Sequence, residues 1–158
     1  MEMSRVVIQC QTVTMKVGEQ SMSANKQAGA CLCGKVRINA TPDKLHLVAC
    51  HCTQCQNWGG GPFLSVDCGG SVIIEGEESV AVYASSQWAE RGFCRECGTH
   101  LFYRLKGQGD YAIPLGLFSA EANWAFKRQL FIDQKPECYS FAEQTENLTR
   151  DEAFERYA

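Results

Sequence analysis

The sequence predicts a mainly β domain of antiparallel sheets with little helix, held together by metal-bound cysteines. Three observations carry this. From Gly29 onward, short β-type segments are separated by turn signals such as Gly59-Gly60-Gly61-Pro62 and Gly69-Gly70. Helical signals are scarce. Seven of the ten cysteines fall into three tight clusters: Cys31-x-Cys33, Cys50-His51-Cys52-x-x-Cys55 and Cys94-x-x-Cys97.

Residues 5–15 have strand character, whereas 18–28 are polar, contain Gly and Ser, and read as flexible. Met22 is an alternative start, so 1–27 read as an N-terminal extension and 28–158 as the zinc-binding domain. Strand expectations within the domain are Val36-Arg37-Ile38, Leu45 to Cys52, Ser71 to Ile74 and Val80 to Tyr83, then Leu101 to Leu105, Tyr111 to Leu117 and Leu130 to Ile132. A short turn is expected near Ser119–Asn123. Thr149-Arg150-Asp151-Glu152 matches a capping box that opens a terminal helix running to Tyr157.

A chain of 158 residues is most simply one domain, and folding one of this size buries about 70% of the surface that the unfolded chain exposes. The cysteines are therefore not needed to rescue a tiny fold. A net charge of −3 and a pI near 5.6 give no basic footprint for nucleic acid. No run of eighteen apolar residues marks a membrane span, and the first eighteen residues hold no apolar stretch of signal-peptide length. The expected location is the cytoplasm, a reducing compartment where clustered cysteines are more often metal ligands than disulfides. Ten cysteines also permit a disulfide framework on arithmetic alone; the zinc-like spacings favour metal. Cys10, Cys68 and Cys138 stand alone and read as small buried apolar residues.

Zinc suits these clusters. Residues i and i+2 of a strand share a face, so Cys31 with Cys33, and Cys50 with Cys52, can aim two thiolates at one ion. Cys94-x-x-Cys97 reads as a tight turn whose backbone N–H groups support its thiolates, with Gly98 supplying a permissive backbone. A closed structural zinc takes four ligands, and a catalytic zinc three plus an open position. Cys50, Cys52 and Cys55 form a three-thiolate site within six residues; Cys31, Cys33, Cys94 and Cys97 close a tetrahedron that clips the start of the domain to its middle. The count therefore gives two Zn²⁺ per chain. A rival pairing of Cys52-x-x-Cys55 with Cys94-x-x-Cys97, as in a zinc ribbon, strands Cys31, Cys33 and Cys50. A thioredoxin-like redox role lacks the βαβ pattern it requires. His51 faces away from Cys50 and Cys52 if the segment is a strand, while His46 and His100 read as structural or surface residues.

These residues resemble those of the glutathione-dependent formaldehyde-activating enzymes and their centromere protein V relatives. The matching text is Gly29-x-Cys31-x-Cys33-Gly34-x-Val36, Cys50-His51-Cys52-x-x-Cys55 and Arg91-x-Phe93-Cys94-x-x-Cys97-Gly98-Thr99-x-Leu101, followed by Phe131-Ile132-Asp133-x-x-Pro136. The resemblance spans about residues 28 to 142. It implies a β-tent fold of the Mss4-like group, with structural zinc on Cys31, Cys33, Cys94 and Cys97 and catalytic zinc on Cys50, Cys52 and Cys55. Cys138 departs from the aromatic residue that relatives often carry there.

The implied reaction is carbon–sulfur lyase chemistry joining glutathione to formaldehyde as S-(hydroxymethyl)glutathione. A thiol coordinated at the open position ionises, and the thiolate is the nucleophile. Ionisation alone raises the thiolate fraction of a thiol of pKa near 8.5 by roughly 30-fold, little beside a typical acceleration of about 10⁶-fold or more. Polarisation of the aldehyde oxygen is the other role open to the metal. In Gln56-Asn57-Trp58-Gly59-Gly60-Gly61-Pro62 the glycines leave room for a ligand and Trp58 can wall the pocket; the same text also reads as an ordinary loop between strands. Arg91 and Arg104 are candidates for glutathione's carboxylates, weighed behind a reading as surface cations in minor ion pairs. The alternative function is a non-enzymatic, zinc-stabilised binding module of the centromere protein V type. The acidic pI and the complete Cys50/Cys52/Cys55 triad favour the enzyme. Neither the thiol and aldehyde partners nor the oligomeric state are legible in the residues alone.

Overall fold

The computed structural model describes residues 25–118 and 122–157. Most of the expected N-terminal extension, Cys10 and part of the expected turn at 119–123 lie outside the described residues. Strand β1 (Gln27–Ala30) opens at a residue that is already buried.

Two sheets make the domain. The smaller has the order β1-β2-β5, from β1, β2 (Arg37–Ala40) and β5 (Val72–Glu75), all antiparallel. The larger also contains β3 (His46–Cys50), β4 (Phe63–Gly69), β6 (Val80–Tyr83), β7 (Ala89–Cys94), β8 (His100–Leu105), β9 (Tyr111–Pro114), β10 (Ala125–Leu130) and β11 (Glu146–Leu148). Its order is β11-β10-β3-β4-β9-β8-β7-β6. The expected mainly β fold is present, with one qualification to its antiparallel character. Strand β10 runs parallel to both β3 and β11, so one end of the large sheet is mixed.

Period-2 alternation explains the layering. On β2, Ile38 and Ala40 turn inward, and with Val36 they meet Val66, Leu101, Phe102 and Ile113 in the core. On β8, Phe102 enters this core while Tyr103 turns to the other face, where it meets Arg91 of β7. Gly92, opposite Phe102, permits the close approach: a Cβ there would sit 2.3 Å from the ring.

Two short α-helices accompany the sheets among the described residues. The terminal helix α2 (Arg150–Tyr157) starts at the expected capping box. Glu152 Oε2 accepts from the Thr149 backbone N–H at 2.8 Å, and Thr149 Oγ1 accepts from the Glu152 N–H at 3.4 Å. Helix α1 (Thr53–Gly59) corrects the reading of 56–62 as a loop between strands. Cys52 supplies its N-cap, and Gly60, at φ 76°, ends it in the left-handed conformation that glycine adopts without steric cost.

Candidate metal centres

The first centre sits where two tight turns meet at the edge of the core. Cys31 and Cys33 lie in the turn between β1 and β2, not on a strand as expected. Cys94 ends β7, and Cys97 lies in the turn to β8, where Gly98 has φ 73° and donates its N–H to the Cys94 carbonyl at 2.8 Å. The four sulfurs lie within 4.8 Å of one another. Cys31–Cys33 and Cys33–Cys94 sulfur separations are 3.4 and 3.7 Å, close to the ~3.8 Å edge of a tetrahedron with 2.3 Å Zn–S bonds. The donor set fits a closed thiolate site.

Local donors favour ionised sulfur at Cys31 and Cys97. The Val36 N–H reaches Cys31 Sγ at 3.3 Å. Burial raises the Cys31 thiol, but this N–H and the Cys33 and Cys94 sulfurs outweigh it and leave it lowered. The Thr99 hydroxyl, 3.1 Å from Cys97 Sγ, together with the Thr99 backbone, brings Cys97 down to about 5. Lys35 and Glu96, one on each turn, pair across the centre at 3.1 Å on the exposed side.

The second centre is built from the end of β3 and the first turn of α1. Cys50 closes the strand. His51 donates its backbone N–H to Leu130 of β10 at 2.9 Å, and Cys52 caps the helix by accepting from Cys55 N–H at 3.5 Å. The strand-type i, i+2 reasoning thus holds for Cys50 alone; Cys52 is brought in by the helix cap. The three sulfurs again lie within 4.8 Å. They share protons unequally. Hydrogen bonding from Cys50 and then Cys55 holds Cys52 down to about 2, while the same exchange with Cys52 and Cys55 pushes Cys50 well above its ordinary range. Three convergent thiolates fit a metal with an open fourth position. The two C-x-x-C pairs fall in different centres, so the zinc-ribbon pairing does not form.

Around this second centre lie residues that the sequence reading did not place. Arg91 corrects the expectation of a surface cation: it is 3% exposed, and its Nη2 donates to Cys55 Sγ at 3.3 Å. Its guanidinium lies 4.7 Å from the Trp58 ring centre, 5.3 Å from Tyr103 and 5.9 Å from Phe63. Trp58 in turn stacks on His100 at 3.8 Å. A charged residue in step with Ala89, at an inward position of a strand, was the available signal. Arg104 is on the opposite face, paired with Glu90 and packed on Phe102, which matches the ion-pair reading and removes it from the thiolates.

His51 is fully buried and points away from the metal centre, as expected. Its Nδ1 lies 2.8 Å from the Tyr139 hydroxyl and its Nε2 2.9 Å from Gln129 Oε1. Because the amide oxygen only accepts, the ring carries its proton on Nε2 and takes the tyrosine hydroxyl proton on Nδ1. Burial, the largest influence, holds it in this neutral form. Gln134 binds α1 from the other side: Oε1 accepts from Thr53 N–H at 3.2 Å, and its carbonyl accepts from Gln56 Nε2 at 2.9 Å. Just before it, Phe131 has φ 56°, a left-handed conformation unusual for a non-glycine residue, with its ring against Phe154 of α2.

His46 lines a groove of about 470 Å³ with Asp67, Asp110, Lys127 and Arg128, and none of the seven clustered cysteines borders it. Cys68 is buried as expected, whereas Cys138 is exposed, correcting its reading as a buried residue.

The chain is similar to several known proteins. An uncharacterised lyase of Schizosaccharomyces pombe is 39% identical over 125 residues, covering 78% of this chain and 91% of the relative. Proteins of Sordaria macrospora and Emericella nidulans, each named as a putative glutathione-dependent formaldehyde-activating enzyme, are 29% and 28% identical. Those matches cover 61% and 56% of this chain and 45% and 47% of the relatives, so the chain spans just under half the length of these two. A crystal structure of a Rhodobacter sphaeroides protein shares the fold with a TM-score of 0.51 at 18% identity, over 77% of this chain and 99% of that one. Residues 26–134 match the sequence pattern of the family described as glutathione-dependent formaldehyde-activating enzyme. On that match and the yeast relative, the chain belongs to the glutathione-dependent formaldehyde-activating enzyme family.

Proposed function

We propose that the protein is a zinc-dependent carbon–sulfur lyase of the cytoplasm that adds a low-molecular-weight thiol to a small aldehyde and reverses the addition. Glutathione and formaldehyde, giving S-(hydroxymethyl)glutathione, are the pair its family points to. The observation that carries the reading is the convergence of Cys50, Cys52 and Cys55 within 4.8 Å beside a buried guanidinium. Cys50, Cys52 and Cys55 would hold a zinc with one position left for substrate. A metal held there supplies positive charge that favours the ionised form of a thiol.

The rest of the chemistry falls to the chain. Cys50, Cys52 and Cys55 hold the site, with His51 and Gln56 fixing the strand–helix junction that carries them. Trp58 and Tyr103 form apolar walls on either side of Arg91. Cys31, Cys33, Cys94 and Cys97 take the structural role, tying the two sheets together through a second zinc.

The test is NMR exchange between glutathione and S-(hydroxymethyl)glutathione at equilibrium, using zinc-loaded protein and its Cys52→Ala variant. Exchange above the spontaneous background, lost in the variant, is the expected result. Background exchange from protein carrying two zincs would remove this substrate pair and favour a binding module.

A further inference from the structure

Arg91 presents an unusual combination. Arginine is almost never fully buried without a paired charge, and among the described residues this side chain, 3% exposed, faces sulfur and no carboxylate. The neighbouring Glu90 serves Arg104 on the opposite face of the sheet. One arm, Nη2, is spent on Cys55 Sγ at 3.3 Å. The other, Nη1, is buried and has no hydrogen-bond partner among the described residues. An orphaned buried donor is costly and calls for a partner, which a ligand at the site can supply. Burial also argues against the role first considered for this arginine. The carboxylates of a flexible peptide thiol belong to its solvated end, whereas this fork lies against the sulfurs.

We infer that Arg91 is a catalytic residue whose Nη1–H donates to the oxygen that becomes negative when a thiolate adds to an aldehyde. This deepens, and rests on, the lyase reading above. In the forward direction a sulfur lone pair forms the C–S bond and the carbonyl π pair moves onto oxygen. That oxygen takes up one proton, matching the one the thiol released; the reverse reaction returns both. The oxyanion is one carbon from the reacting sulfur, so its donor must stand beside the thiolate cluster. The rigid guanidinium fork meets this demand: with Nη2 fixed on Cys55, Nη1 is held nearby in the same plane. Trp58, stacked on His100, and Tyr103 keep the fork in place before substrate arrives. Such preorganised donors are worth most where water is excluded.

The test compares two small thiols by calorimetric titration of the zinc-loaded full chain. Mercaptoacetate carries an oxyanion close to its sulfur; ethanethiol carries none. The intact protein should bind mercaptoacetate at least about ten-fold more tightly, and Arg91→Met should cut that preference about ten-fold. Both proteins should hold two zincs and bind ethanethiol within about two-fold of each other, because sulfur binding does not need Nη1. Carboxylate contact with the metal is common to both and cancels. Adduct exchange should fall about 10²–10³-fold in the variant. A preference undiminished by the substitution overturns the inference. So does an equal loss of affinity for both thiols, which would confine Arg91 to the cysteine sulfurs. If Arg91→Met loses its metals, Arg91→Lys keeps a cation without the fork and should still weaken the preference; an undiminished one overturns the inference. Absence of exchange in the intact protein, with the preference present and reduced by Arg91→Met, sinks the lyase reading and leaves the oxyanion donor standing.

Discussion

The two cysteine centres use the same ligand chemistry but are supported in opposite ways. Around Cys31, Cys33, Cys94 and Cys97 the donors to sulfur are local, the Val36 N–H and the Thr99 hydroxyl, and the two turns meet directly through Leu32 N–H to Thr99 Oγ1 and Lys35 to Glu96. Cys31 and Cys94 are themselves part of the core. Around Cys50, Cys52 and Cys55 the support comes from far along the chain: Arg91 from β7, Gln134 from the loop after β10, and Gln129 and Tyr139 through His51. Fixed backbone donors match a constant charge. A mobile substrate whose charge moves between sulfur and oxygen is better matched by a cation with a spare donor. On the proposed division, removing the first centre costs the fold and removing the second costs only the chemistry.

The sharpest way to break that contrast is Cys97→Ala. Structural zinc binding contributes about 10–16 kcal/mol in small domains, which rivals a whole domain's stability of about 5–15 kcal/mol. The variant should lose the cooperative melt seen by circular dichroism; an unchanged transition would refute the structural assignment. Cys52→Ala is its counterpart and should lose one zinc of two, keep a cooperative melt and lose adduct exchange. If zinc analysis found both ions gone, the two centres would be one unit and the contrast would fail.

A smaller effect sharpens the picture of long-range support. Tyr139→Phe removes the hydroxyl that donates to buried His51 Nδ1, and an unsatisfied buried acceptor costs about 1–3 kcal/mol. Denaturant titration should show that loss with zinc content unchanged. A loss of zinc from the four-thiolate centre in this variant would mean that the supports are not separate.

What the residues disclosed follows the same divide. The three cysteine clusters were legible because the cysteines within each lie two or three residues apart, within reach of spacing rules. The capping box at Thr149–Glu152 was legible for the same reason. Helix α1 was not: its last residue, Gly59, and the two glycines after it read as a loop, and it is secured by Gln134, 78 residues from Gln56. Strand β4 escaped notice because its apolar residues are broken by Ser65, Asp67 and Gly69. The parallel pairing of β3 with β10 depends on a crossover that no local pattern encodes. Arg91 illustrates the limit most clearly, since charge alone argues for the surface and only its tertiary partners bring it inside.

The smallest expected effect tests the outer edge of the long-range support. Glu146 of β11 accepts from Arg156 of α2 at 2.6 Å and from Arg128 of β10 at 2.7 Å. Arg156 first, then Arg128, hold its carboxyl below the ordinary value of 4.5. A lowered acid pKa contributes stability above the unfolded value and loses it as pH falls through the folded one. The group is exposed, so the contribution is small and weakens with salt. Acid also protonates the metal-binding thiolates, so the informative quantity is a difference between proteins. Glu146→Gln should be slightly less stable than the intact chain at pH 7, and the gap should close as pH drops below about 4.5. Zinc content at neutral pH should be equal in both, because the ion pair anchors β11 and α2 without touching a sulfur. A gap that widens in acid would show that this carboxylate is held against its charge, and that the sheet edge is stabilised by something other than the Arg156–Glu146–Arg128 chain.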